Sequence, residues 1–361
     1  MRRRDLLALS LAALPMALRP AAAQSKYPER PIRLVIPFPP GGVYDAVGRP
    51  WADRVKPMLG TVVVENIGGA GGALGAAAVA RAPSDGYTVL LGGGGALVLT
   101  PIASSRPPFD PVRDFEPIAL LVTTGLAIVV HPALPATTLA ELIDYARSNP
   151  GKLSYGSAGV GSMNQLTGEL FKSLSGATDI VHVPYKGAGP AVTDLISGQI
   201  PIATPNVTAQ ILELHHAGKL RIVAVTSPRR LAGAPDIPTA VEQGLPGMIA
   251  QNFIGLFAPA RTSPAIIEQV AQATRGVMDD EAFLRSLTAS GFEPELASTP
   301  DKTRRFVADE VARWGPVIKT IGLRLEDFEG PRYRRIDQIK LLIASGHLRS
   351  DLRWNPQTAA A

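Results

Sequence analysis

Ile32-Arg33-Leu34-Val35-Ile36 runs directly into Pro37-Phe38-Pro39-Pro40-Gly41-Gly42. Five β-type residues meet a Pro/Gly stop, and helix-forming residues follow from about 43 to 58. The same succession recurs down the chain. Residues 61–65 are β-branched and precede a Gly/Ala-rich helix start at 68–80, and residues 87–91 precede Gly92-Gly93-Gly94-Gly95. Strand followed by helix, repeatedly, predicts an α/β fold with largely parallel sheets.

The pattern continues past residue 120. Residues 126–130 are apolar and β-rich. Thr138 and Glu141 form a capping box that opens a helix ended by Pro150-Gly151. A short strand at 153–155 enters the loop Gly156-Ser157-Ala158-Gly159-Val160-Gly161-Ser162, and a helix follows to about 174. Further strands are predicted at 180–184, 200–203 and 221–225, with 256–259 returning the chain to its first half. Helices are predicted at 264–278 and 300–320. Residues 327–361 differ: they carry Arg332, Arg334, Arg335, Arg349 and Arg353, with one short amphipathic helix expected at 336–345 and a frayed end.

The chain has 361 residues, enough for two domains. It has no Cys, which excludes disulfides, thiolate metal sites, a Cys nucleophile and a lipidated N-terminal Cys. The net charge is +5, but residues 1–23 hold four Arg against one Asp, so most of that charge sits there. The body lacks the concentrated basic stripe of a nucleic-acid binder.

Residues 1–23 read as an export signal. Arg2-Arg3-Arg4 is the positive region and residues 6–18 the apolar stretch, too short to span a bilayer core of ~30 Å. Ala21-Ala22-Ala23 places cleavage before Gln24. Arg3-Arg4-Asp5-Leu6-Leu7 loosely resembles a twin-arginine signal. A soluble periplasmic protein is expected, since no later apolar run reaches the ~18 residues of a spanning helix.

Two strand–loop–helix junctions carry the functional signal, at 37–42 and 156–162. A helix start leaves backbone N–H groups unpaired and carries partial positive charge, and glycine lets a ligand approach that backbone. Such a junction suits an anion. Asp45 is placed either to cap its helix or to face a ligand cation, capping or dipole interaction being the commoner outcome. Other motifs are weaker. Gly69-Ala70-Gly71-Gly72-Ala73-Leu74-Gly75 has GxGxxxG spacing, which fits close helix packing better than a dinucleotide fingerprint. Gly151-Lys152 and Gly218-Lys219 lack the rest of a P-loop. Ser157 and Ser162 do not sit in GxSxG, so an exported hydrolase lacks its nucleophile elbow. His215 and His216 point roughly 100° apart on a helix and form no i,i+4 metal pair. Asn206-Val207-Thr208 fits a glycosylation sequon, a frequent chance match.

Together these residues resemble the Bug-type substrate-binding receptors of tripartite tricarboxylate transporters, over about residues 27–326. The resemblance is carried by Pro37 to Gly42 with Asp45 and Arg49, by Val64-Glu65-Asn66 and Gly69-Ala70-Gly71-Gly72, and by Asp85-Gly86-Tyr87-Thr88. It continues in Ser157 to Ser162, Val183-Pro184-Tyr185-Lys186-Gly187, Gly218-Lys219-Leu220-Arg221 and Pro235-Asp236-Ile237-Pro238-Thr239. Three places depart from the family pattern: Ile67-Gly68-Gly69 replaces Arg-Pro-Gly, Gln165 stands where His is common, and Pro201 and Pro205 stand where acidic residues are common.

The resemblance implies a two-domain periplasmic binding protein of type II, the Venus-flytrap kind, each domain a mostly parallel sheet flanked by helices. Domain 1 would be 26–124 plus 248–326, domain 2 would be 125–247, and 327–361 an extension. The implied ligand is a small organic carboxylate held by Phe38, Pro39, Gly41, Gly42 and Asp45 from one side. From the other come Ser157, Ala158, Gly159, Gly161, Ser162 and Asn206. The implied protein is a monomer without cofactor, metal or catalysis, and its partners are transporter membrane subunits. A sensory receptor serving a membrane kinase is the alternative.

Overall fold

The computed structural model describes residues 27–325, so the export signal and the basic C-terminal stretch lie outside the described residues. Eleven strands are found among them: β1 (Ile32–Ile36), β2 (Val62–Asn66), β3 (Thr88–Gly93), β4 (Phe115–Gly125), β5 (Ala127–Val130) and β6 (Ser154–Ser157). The rest are β7 (Val181–Pro184), β8 (Ile202–Ala203), β9 (Arg221–Val225), β10 (Gln251–Pro259) and β11 (Glu293–Pro294). They form two sheets, ordered β11-β4-β10-β3-β1-β2 and β7-β6-β8-β5-β9. Each sheet with its helices is called a lobe below, the first lobe being the six-stranded one.

The sheets are mixed, which corrects the expectation of mostly parallel ones. β1 pairs in parallel with β2 and β3, and β6 with β7 and β8. The remaining pairs are antiparallel. The reason lies in how the chain changes lobe. β4 runs past Leu126 straight into β5, and the chain returns from β9 to β10. The outgoing and returning strands lie side by side, so β10 is antiparallel to β4 and β9 to β5.

Two of the parallel strands, β1 and β3, are close to continuous apolar runs, as strands buried on both faces are. In β1 only Arg33 is not fully buried, and every residue of β3 is buried. The predicted capping box forms: Thr138 Oγ1 accepts from Glu141 N–H, and Glu141 accepts from Thr138 N–H. Hydrogen bonding to Thr137 holds the Glu141 carboxyl below its usual range. The longest strand, β4, escaped the sequence reading. Pro117 within it argues against a strand interior. Pro117 pairs with Phe257, where the register of β10 against β4 shifts, and a ladder irregularity tolerates the missing N–H. Helix Glu281–Ala289 was also not anticipated.

The crossing is stitched by Thr226. Its N–H donates to Leu126 O at 2.8 Å, and its Oγ1 donates to Ala250 O at 2.7 Å with Leu126 O 3.1 Å away as the alternative acceptor. One buried threonine thus ties the outgoing strand to the returning one. Thr226→Val keeps the shape and removes the hydroxyl. Urea unfolding is expected to show a loss of about 1–3 kcal/mol, because buried carbonyls lose a donor. An unchanged midpoint would show that the stitch contributes nothing.

Candidate functional site

Three helices begin at one cavity. Helix Val43–Arg54 follows β1, Met163–Ser175 follows β6, and Ala188–Ile196 follows β7. Their N-cap residues are Gly42, Ser162 and Gly187. All three line a cavity of about 190 Å³ between the lobes. The site therefore sits at the carboxyl ends of parallel strands, where βα junctions leave amides unpaired. Gly42 and Gly187 offer no side-chain cap. Each helix end contributes about half a positive charge. Lys186 is the one charged side chain in the lining among the described residues, and no carboxylate lines it.

The first loop is braced from behind. The Asp45 carboxylate accepts from Gly41 N–H at 3.0 Å, from Arg49 Nε at 2.6 Å and from Asn66 Nδ2 at 3.2 Å. Arg49 also reaches Asn66 Oδ1 at 2.8 Å, and Asn66 Nδ2 donates to Phe38 O at 3.0 Å. The Phe38 ring stacks on Tyr44, centroids 4.6 Å apart, to make one wall. Burial pushes the Tyr44 hydroxyl far above its usual range, while a hydrogen bond from Asn252 acts weakly the other way. Tyr44 therefore stays neutral and adds no negative charge.

The second loop is braced by its neighbour. Tyr185 N–H donates to Ser157 O and Gly187 N–H to Ala158 O, both at 3.1 Å, so the loops after β6 and β7 run zipped together. Ser162 Oγ accepts from Gln165 N–H and donates to Gly159 O at 2.6 Å. Gly161 N–H is held by Gln165 Oε1 at 2.8 Å.

The lobes touch beside the cavity. Gly71 has φ +62°, and a Cβ there would stand 2.6 Å from Gly161 Cα in the other lobe. A Cβ on Gly95 would meet Gly161 O at 3.2 Å. Backbone against backbone is the closest approach two lobes can make, and only glycine permits it here.

Residues 47–323 match the family model described as tripartite tricarboxylate transporter family receptor. This chain belongs to that family. It is 36% identical over 302 residues to Protein BugT of Bordetella pertussis, covering 83% of this chain and 92% of that one. The solved structure of periplasmic binding protein BugD superposes with a TM-score of 0.76 at 33% identity, covering 82% of this chain and 99% of that one. MatC from Rhodopseudomonas palustris with bound malate gives 0.76 at 30% identity, covering 81% and 100%. Members of the family are periplasmic binding proteins, not enzymes. No helix among the described residues is long and apolar enough to cross a membrane.

In this receptor the two loops named from sequence do face each other. Phe38, Pro39, Gly41, Gly42, Ala158, Ser162 and Asn206 line the cavity. Asp45, Ser157, Gly159 and Gly161 do not. Asp45 is committed to bracing its loop. Gly159 lies with its missing side chain toward Tyr185 O, 2.8 Å from an added Cβ. Ser157 is 2% exposed, and its Oγ accepts from Gly159 N–H and lies 2.7 Å from His182 Nε2. That pairing was not legible from spacing, since the two residues sit on neighbouring strands. It is turned from the cavity and stacked on Tyr155, centroids of the two rings 4.8 Å apart, so it braces the loop rather than meeting a substrate.

Sequence reasoning missed the third junction. The signal was available: β7 is followed by Lys186-Gly187 and a helix, the same grammar as the other two. It also missed Tyr44, Gly95, Asn164 and Asn252 in the wall.

Gly71→Ala tests the contact between lobes. The added methyl cannot be accommodated without moving backbone, so the closed arrangement is disfavoured. Ligand affinity is expected to fall by roughly tenfold or more, with thermal stability of the ligand-free protein changed by only about 1 kcal/mol. Equal affinity for both proteins would show that this contact is not part of the ligand-bound state.

Proposed function

We propose that this receptor captures a small organic carboxylate in the periplasm and hands it, unaltered, to the membrane subunits of a tripartite tricarboxylate-type transporter. The observation that carries the reading is the meeting of three helix N-termini and Lys186 at a cavity lined by no carboxylate. A negative group fits that field, and a compact one fits about 190 Å³. The malate named for MatC belongs to the same chemical class.

The lobes of the proposal are 26–124 with 248–326, and 125–247, moving about the crossing at Leu126, Thr226 and Ala250. Ligand shifts the open–closed balance only as far as it binds the closed form better. Gly42 and Ala158 offer their own backbone amides and Gly187 opens the helix start whose first amides face the cavity, while Ser162, with its N–H and hydroxyl given to Gly159 O, shapes the wall. Asp45, Ser157, Gly159 and Gly161 act through the shape of their loops. The receptor works as a monomer without cofactor or metal. Export follows the signal at 1–23, with the twin-arginine pair directing the route. Uptake is favoured over sensing because the family is that of transporter receptors.

Calorimetry with short mono- and dicarboxylates is expected to find at least one ligand with a micromolar Kd. Ala158→Trp places an indole in the cavity and is expected to weaken that ligand at least about a hundredfold, because the space is lost. A melting curve shows whether the variant folds. A folded A158W protein with native affinity would remove the site.

A further inference from the structure

Two buried side-chain oxygens in the cavity wall have no hydrogen-bond partner among the described residues: Asn206 Oδ1 and Asn252 Oδ1. The residues are 6% and 4% exposed. They belong to different lobes. Asn252 lies on β10 opposite Thr124, and Asn206 is bridged to Leu126, so the two flank the strand that crosses between the lobes. Asn252 and Tyr44 line the same cavity, and the Asn252 side-chain oxygen is left without a partner there. Other buried unpartnered atoms, Trp51 Nε1 and Gln165 Nε2, lie outside the cavity lining.

A buried acceptor without a donor is costly, and two in one ligand cavity call for donors on the ligand. A carboxylate cannot supply them, since it only accepts. An ammonium donates, but here it would meet Lys186 and three positive helix ends with no carboxylate to balance it. A neutral hydroxyl fits both demands.

We propose that the ligand is a hydroxycarboxylate: its acid group meets the helix N-termini, and its hydroxyl donates to Asn206 Oδ1 or Asn252 Oδ1 beside the hinge. A dihydroxy acid serves both oxygens. The inference rests on the carboxylate-receptor reading and narrows it. It also assigns Asn206 and Asn252 a selecting role. The loops recognise any acid of suitable size, and the two asparagines choose among acids of one size and charge. Because one asparagine comes from each lobe, a dihydroxy ligand also links the lobes at the crossing.

The test uses acids of matched carbon skeleton and charge, by calorimetry on the mature protein. The series are succinate, malate and tartrate; propionate, lactate and glycerate; and glutarate with 2-hydroxyglutarate. In the series that binds, the hydroxy acid is expected to exceed its parent by about tenfold or more. Asn206→Leu and Asn252→Leu remove the acceptors, and each is expected to shrink that ratio by weakening the hydroxy acid more than its parent. Asn206→Asp and Asn252→Asp serve if the leucine variants melt early: a second acceptor with negative charge is expected to weaken every acid but keep the hydroxyl preference. A parent acid that binds as tightly as its hydroxy derivative overturns the hydroxyl inference and leaves the carboxylate reading standing. An undiminished ratio in the folded leucine variants overturns the assignment to these residues. Binding of no acid in any series overturns both readings.

Discussion

A helix begins with amide hydrogens that its own carbonyls cannot reach, and a buried amide has to find an acceptor somewhere. In this receptor three such beginnings face one small space. Two are opened by glycine, which brings no side chain to satisfy them. The unpaired amides are therefore kept for whatever enters. Much of the surrounding structure keeps them in that condition. Asp45, Arg49 and Asn66 fix the first loop, while Ser157, Tyr185 and Gly187 fix the other two to each other. These bracing groups use their hydrogen-bonding capacity on one another and so do not compete with the ligand for the helix ends.

That division explains why Asp45 and Ser157 read as ligand contacts from sequence and do not line the cavity. A hydroxyl in a glycine loop is a residue type one expects at an anion site, whereas a carboxylate in the first helical turn serves its own helix or a ligand cation. Sequence spacing does not reveal which way a short side chain points when two partners compete for it. For Asp45 the competitors are Gly41 N–H and the Arg49 guanidinium, one turn on. For Ser157 the rival is His182, twenty-five positions away and adjacent only because β6 and β7 pair.

The fold was more legible than the site, for a physical reason. Buried strands need apolar runs, and those of the parallel β1 and β3 and of the antiparallel β9 stand out in the chain. β4 did not, because Pro117 is a strand breaker wherever the ladder is regular, and the irregularity that accommodates it is set by β10, over a hundred residues later. The mixed character of both sheets was hidden for a related reason. Local succession predicts parallel pairing, whereas antiparallel pairing here follows from the chain leaving one lobe and returning beside its own exit. Asn252 is a similar case: nothing about one asparagine in an apolar strand marks it, and only the pairing of β10 with β3 and β4 carries it to the cavity.

On the proposed reading, recognition rests on two kinds of group with different freedom to vary. Backbone amides at helix starts are present whatever the side chains are, provided the glycines that expose them remain. Side chains beside the crossing strand carry no such constraint from the fold. A change at position 206 or 252 alters what the cavity offers while the residues that open the helix starts, Gly42, Ser162 and Gly187, remain. The chain leaves an acceptor at each of those two positions and brings no acidic side chain to the wall. The cavity consequently combines a positive field with neutral acceptors, and on the proposed reading that pairing discriminates by hydrogen-bond complementarity rather than by charge.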